Sequence, residues 1–301
     1  MSFRVIKPGF FSTIQDRGRF GLAHHGLSQS GVADEHAYCW ANYLLGNDAD
    51  AAVMEITFGG CVLSALIDTG IAITGADLGF KINGKPQDHW QVLSVKQGDL
   101  LTWSAPKNGV RAYLAVQDGF QTKQYFNSRS ANLREKVGSL IQVNDELLTR
   151  PSKPSDKGKT MPAWFKPDYT EALTLRLLPS YQYEQFSQQQ RQLLFGQAYK
   201  IGKASDRTGC RLEGNAIKNT PATMISEGIS YGSVEITTAG LPIILLKDAP
   251  TIGGYPKIGT VFSLDLAKLA QHQPGSDVRF ELIDIETAQQ LRREFNYFFE
   301  K

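Results

Sequence analysis

Short β-type runs, closely spaced and separated by turn signals, constrain this chain more than any other feature. In the first half they are predicted near Val53–Phe58, Cys61–Leu66, Ile71–Thr74, Gly79–Asn83, Gln91–Val95, Leu100–Trp103 and Arg111–Val116. Asn83-Gly84 between two such runs is a hairpin signal. Many strands at this spacing predict a sandwich or barrel, because alternating βαβ units need helices between the strands. A helix is predicted from an Asp34 N-cap to about Leu45, with Ala37, Trp40, Ala41, Leu44 and Leu45 on its apolar face and Gly46 beyond its end.

The second half repeats the style. An alternating strand (Leu173, Leu175, Leu177) leads to a glutamine-rich helix predicted from about Tyr181 to Phe195. Runs at Ser233–Thr237 and Leu241–Leu246 flank the turn Thr238-Ala239-Gly240. A short helix is expected at Ser263–Gln271, then a strand through Val278, Phe280 and Leu282. The last helix is expected to bury Ala288, Leu291, Phe295 and Phe298. Between the halves, 151–167 is rich in proline and lysine and without periodicity, which reads as a linker. The predicted domains are therefore 1–150 and 168–301, a reasonable division for 301 residues. The halves also echo each other: QDRGR and VMEIT-FGG in the first, SDRTGCR and SVEIT-TAG in the second.

Charge and cysteine content narrow the function. A formal net charge of +2 gives no electrostatic case for nucleic acid or a membrane surface. No apolar run approaches the ~20 residues of a membrane helix, and MSFRVIKPGFF lacks the apolar core of a signal peptide. Cys39, Cys61 and Cys210 are widely spaced and odd in number, which fits a reducing compartment. The expectation is a cytoplasmic protein.

Familiar catalytic motifs fail. The GKT at Gly158–Thr160 has Lys153 where a phosphate loop needs glycine, and no HExxH, paired CxxC or GxGxxG occurs. His24, His25, Asp34 and His36 match no usual metal spacing. What remains is arginine beside carboxylate in glycine-containing loops: Asp16, Arg17 and Arg19, and Asp206, Arg207 and Arg211. A guanidinium fork grips carboxylate or phosphate at two points. An Arg–Asp pair that merely pins a turn is the competing reading for each arginine. The loop after Asp248 adds Gly253, Gly254, Tyr255 and Lys257, two pliable backbone positions and a point charge. Glu55 and Glu235 alternate with apolar residues, so both are predicted to face solvent. If either faced a barrel mouth instead, burial would raise its pKa and make it an acid or base. Glu227, before Gly228 in a loop, follows the same logic.

TIQDRGRFGLAHHGLSQSGVADEHAYCWANYLLGN and MEITFGG, with SDRTGCRLEG and SEGISYGSVEITTAGLPIILLKDAPTIGGYPKIGTV, resemble the two signatures of the allophanate hydrolase subunit 2 family. That family is also known as the carboxyltransferase subdomain A/B family and includes the C subunits of bacterial 5-oxoprolinases. The resemblance implies two tandem cyclophilin-like β-barrels, a smaller homologous partner (the B subunit) and a larger A subunit. It implies ATP-dependent conversion of 5-oxoproline, a small anionic substrate, to glutamate, with ATP bound by this chain, shared, or held by a partner. By the same resemblance Arg207, Arg211, Glu227, Asp248 and Lys257 match signature positions; we expect them to be catalytic, with Arg207, Arg211 and Lys257 holding substrate carboxylate or phosphate. Gln15, Asp16, Arg19, Asp34, Asn42, Glu55, Thr251, Gly253, Gly254 and Tyr255 match signature positions too and are expected to bind substrate, Gly253-Gly254 through backbone donors. Two positions depart from the family pattern: Pro250 stands where a glutamine is expected, and Glu235 where an uncharged amide is expected. The alternatives are a biotin-dependent carboxyltransferase subunit, with biotin carried elsewhere because no AMKM-type attachment sequence is present, and a non-catalytic regulator that binds a kinase inhibitor.

Overall fold

The computed structural model describes residues 2–150, 159–218 and 225–299. They form a mainly β protein with α-helices at Glu35–Leu45, Gln188–Gly196, Ser263–Leu269 and Ile285–Phe299. The chain divides into two compact units, one of residues 1–19 and 30–170, the other of 20–29 and 171–301.

The first unit is built from two antiparallel sheets. One is six-stranded, in the order Glu146–Leu147, Phe3–Pro8, Cys61–Ala65, Leu100–Thr102, Lys81–Ile82 and Lys85–Pro86. The other is five-stranded, in the order Phe11–Gln15, Val53–Thr57, Asn108–Val116, Thr69–Asp77 and Gln91–Val95. Phe3, Val5, Leu63 and Leu101 from one sheet share a core with Met54, Ile56, Ile73 and Leu114 from the other. The predicted hairpin at Asn83-Gly84 joins Lys81–Ile82 to Lys85–Pro86. The helix Glu35–Leu45 covers the opposite face of the five-stranded sheet, and Thr74 Oγ1 donates to the Ala37 carbonyl at 2.7 Å. The predicted caps hold it: Asp34 accepts from the Ala37 N–H, and Gly46 adopts a left-handed φ of 68°.

The second unit is a closed seven-stranded barrel. Its order is Leu173–Pro179, Lys257–Val261, Ser233–Ile236, Pro242–Leu245, Gly209–Glu213, Tyr199–Ile201 and Asp277–Leu282, the last pairing in parallel with the first. Leu175, Leu177, Leu212, Val234, Ile244 and Ile258 fill it. Beside it lies a two-stranded ladder of Glu227–Gly228 against Ile252–Gly253.

Several local expectations are corrected. Residues 20–29, assigned by sequence to the first domain, group with the second unit, where Ser28 donates to the Ala249 carbonyl at 2.7 Å. Of the predicted linker, 151–158 lies outside the described residues. The part from Lys159 onward belongs to the first unit: Thr160 bridges Gln91, and Met161 is buried with its N–H on the Trp90 carbonyl. The glutamine-rich helix begins only at Gln188, where Ser187 and Gln190 form a capping box. The last helix buries Ala288 alone of its four expected residues; Phe298 is exposed and Leu291 and Phe295 half-buried. That helix docks at its first turns, on a small cluster of Phe262, Ile283 and Ala288. The three cysteines are buried and form no disulfide among the described residues, and no described helix is long and apolar enough to cross a membrane.

Candidate functional site

Side chains directly opposite one another in an antiparallel ladder lie on the same face of the sheet. In the first unit this aligns Thr13, Glu55, Tyr113 and Thr74 in one row. Their chain neighbours Met54, Ile56, Ala112 and Leu114 point to the core, so the row lies on the other face, which the helix covers. Glu55 is fully buried, contrary to its predicted exposure. Its Oε2 accepts from the Tyr113 hydroxyl at 2.8 Å and the Ala33 N–H at 2.9 Å. Burial, with Glu55 beside it, raises the Tyr113 pKa well above its ordinary value. The Tyr113 oxygen also accepts from the Asp34 N–H at 2.8 Å. Tyr113→Phe strips a donor from one buried group and an acceptor from another. It should cost about 1–3 kcal/mol in urea unfolding.

The other first-unit residues singled out in the sequence make hydrogen bonds within that unit. Asp16 accepts from the Ser128 and Ser130 hydroxyls, both at 2.6 Å, and from the Gly18 N–H at 2.8 Å. Arg19 is buried and donates to the Ser130 carbonyl. Asp34 caps the helix with one carboxyl oxygen and accepts from the Tyr169 hydroxyl with the other at 3.0 Å. Asn42 closes the same helix, donating to the Ala51 carbonyl and accepting from Asn47, each at 2.9 Å. Gln15 donates to Thr13 Oγ1 and the Ala131 carbonyl, both at 3.0 Å, while its buried Oε1 has no partner among the described residues.

In the second unit the same registration aligns Arg211, Ile243, Glu235 and Lys257 across four adjacent strands. Their neighbours Cys210, Leu212, Val234, Ile236, Ile244 and Ile258 fill the barrel, so this row faces outward. At about 4.8 Å per strand the backbones of Arg211 and Lys257 stand about 14 Å apart. Arg211 is exposed. Lys257 Nζ lies 2.8 Å from Glu227 Oε1 and donates to the Gly228 carbonyl at 3.2 Å. Glu227 also accepts from the Tyr181 hydroxyl and, at 3.3 Å, from the Gln182 amide. The hydrogen bond from Lys257, and then that from Tyr181, hold the Glu227 carboxyl below its ordinary range.

Glu235 points away from the barrel core as the alternation predicts, yet it is only 4% exposed. The small ladder covers it: a Cβ on Gly253 would stand 2.6 Å from Glu235 Oε1. A side chain at Gly253 would displace the Glu235 carboxyl, and the Gly253 backbone is engaged opposite Glu227. Burial drives the Glu235 carboxyl up to about 7, with Lys257 pulling it down and Glu227 pushing it up.

Arg207 is tied to a carboxylate of its own unit. It forms a buried pair with Asp248, Nε to Oδ2 at 2.9 Å, and the Asp248 N–H donates back to the Arg207 carbonyl at 2.9 Å. Asp206 caps its own turn through the Thr208 N–H at 2.7 Å. Thr251 presents its carbonyl to the Ile229 N–H, Gly254 is half-buried and Tyr255 is exposed. Sequence reading misses Tyr113, Tyr181 and Gln182. A tyrosine inside an alternating strand carries no signal of its own, and Tyr181-Gln182 falls inside a predicted helix.

A β-rich tandem chain with a closed barrel and these loops defines a known class: the chain belongs to the carboxyltransferase domain, subdomain A and B family, whose model matches residues 25–282. Among its relatives, the 5-oxoprolinase C subunit of Haemophilus influenzae is 35% identical, over 94% of this chain and 91% of that one. The 5-oxoprolinase C subunit of Escherichia coli is 31% identical, over 99% of this chain and 96% of that one. The crystal structure of the Kluyveromyces lactis urea carboxylase shares the fold with a TM-score of 0.89 at 24% identity, over 99% of this chain and 29% of that larger one.

Proposed function

We propose that this chain is the C subunit of a cytoplasmic, ATP-dependent 5-oxoprolinase that works with B and A subunits and opens the 5-oxoproline ring to glutamate. The observation that carries the reading is its end-to-end likeness to two bacterial proteins of that name. The outward row of the second unit supports it chemically. Arg211 offers positive charge to a carboxylate or to a phosphorylated lactam oxygen, the half-buried Ile243 offers an apolar floor for a small ring, and Lys257, already paired with Glu227, sets the charge at the far end of the row. Arg207 and Asp248 contribute by holding the adjoining loop.

A nucleotide fits this row only as a phosphate neighbour. The sequence holds no phosphate-loop motif, so the reading puts most of the ATP site on a partner. The likeness in fold to urea carboxylase favours a second reading, a carboxyltransferase subunit that receives biotin from another chain.

Mixing the purified chain with its cognate B and A subunits, 5-oxoproline and ATP should yield glutamate and ADP. Biotin-dependent carboxylation of a small amide in place of that turnover would replace the first reading with the second. Within an active complex, Arg211→Ala should lower kcat/KM about tenfold or more, with unfolding unchanged, as expected for lost transition-state charge stabilisation. An unaltered rate would leave Arg211 outside the site.

A further inference from the structure

The two glutamates of the repeated VMEIT and SVEIT strings occupy the same kind of position, on the face of a strand turned away from the core, and both are buried. Their ladder partners differ. Glu55 stands opposite Tyr113, which donates a hydrogen bond to it. Glu235 stands opposite Ile243, which has nothing to donate, and on its other side opposite Lys257. The ladder is irregular there: Val234 pairs with Gly259 and Glu235 with Lys257, so Ile258 is an extra residue that re-aims the strand. Lys257 spends its ammonium on Glu227 and the Gly228 carbonyl. Glu235 Oε1 is left buried with no hydrogen-bond partner among the described residues.

We infer that Glu235 is a proton-holding residue that couples anion binding on the Arg211–Lys257 row to the uptake of one proton. The charged groups that act on it are Lys257 and Glu227, of opposite sign. Ile243, opposite it in the ladder, and Gly253, against its carboxyl, carry no charge. With Glu235 neutral, the charges of Glu227 and Lys257 cancel and Arg211 leaves the row net positive. Once Glu235 ionises, a second carboxylate faces Lys257, the row loses that excess charge, and an anionic guest is repelled. By linkage the reverse also holds: an anion seated on the row strengthens the hold of Glu235 on its proton. Glu235 thus acts through Lys257 as a positioning residue and needs no contact with the guest. The inference rests on reading this row as the anion site.

Binding of 5-oxoproline to the assembled complex, measured by calorimetry without ATP, tests the coupling. Binding of 2-pyrrolidone, the same ring without the carboxylate, provides the uncharged comparison. For a carboxyl ionising at about 7, 5-oxoproline should bind about tenfold more weakly at about pH 8 than at about pH 6. The neutral lactam should show no such dependence, and Glu235→Gln should flatten the 5-oxoproline profile. A flat wild-type profile, or an unchanged slope in the glutamine variant, overturns the inference. Carboxyl-carbon NMR of the full chain reads the proton directly. One glutamate signal, missing from Glu235→Gln, should titrate near neutrality and shift upward with added inorganic phosphate. If 5-oxoproline fails to bind at either pH, the proposed substrate is wrong. A near-neutral signal that still responds to phosphate would then keep the coupled anion site, and its absence would remove that too.

Discussion

Arg207→Ala should destabilise the second unit by about 3–5 kcal/mol, because it strands a buried carboxylate. Arg207 and Asp248 side chains are 10% and 8% exposed, so the carboxylate left behind is desolvated and without its cation. The pair also ties the turn after Gly202 to the end of the strand Pro242–Leu245, since the Asp248 N–H bonds the Arg207 carbonyl and the Leu246 N–H bonds that of Thr208. Breaking one partner is the expensive change. Replacing both with apolar residues of similar volume, as in Arg207→Met with Asp248→Leu, should recover most of the loss. Urea unfolding of the two variants makes the comparison. A single alanine costing under about 1 kcal/mol would mean that the pair is dispensable to the fold, and would return Arg207 to the candidates for ligand binding.

Glu235→Gln should change how stability depends on pH, and in a fixed direction. The folded carboxyl ionises at about 7 against an ordinary 4.5, so between those values the folded chain keeps a proton that the unfolded chain has released. The stability this provides is fully present below the ordinary value and is lost as pH rises through about 7. A shift of that size corresponds to about 3 kcal/mol. Relative to wild type, the glutamine variant should therefore gain about that much between about pH 4 and about pH 8. Chemical unfolding at several pH values measures it. A difference that stays constant would mean that Glu235 ionises as an ordinary surface glutamate does.

Much of the fold is legible in the sequence because it is local. The helix Glu35–Leu45 announces both its ends, through an Asp34 side chain that can cap and a Gly46 that can turn left-handed. Gln91–Val95 and the Asn83-Gly84 hairpin follow from alternation and turn chemistry. Phe11–Gln15 is hidden because STIQ runs straight into a charged glycine loop, and Lys257–Val261 because its lysine and glycine dilute the apolar pattern. The site is legible in residue type and illegible in partnership. Asp16, Asp34, Arg207 and Asp248 are the polar residues one would pick for a ligand, and each is held by groups far along the chain or in a neighbouring turn. Glu55 and Glu235 show the limit most clearly. Period-2 alternation correctly turns both away from the core, but what then covers that face, a helix in one unit and a two-residue ladder in the other, is a tertiary matter.

The membership of residues 20–29 in the second unit has a consequence for synthesis. Ser28 waits for Ala249, 221 positions later, and at bacterial elongation rates that gap lasts roughly 10–40 s. The first unit can assemble while the ribosome is still working, but the second cannot seat this early strap until the loop holding Ala249 has emerged. Expressing 171–301 alone would yield all seven barrel strands without the segment that groups with them. Supplying 20–29 as a separate peptide is the natural way to ask how much of its order that strap provides.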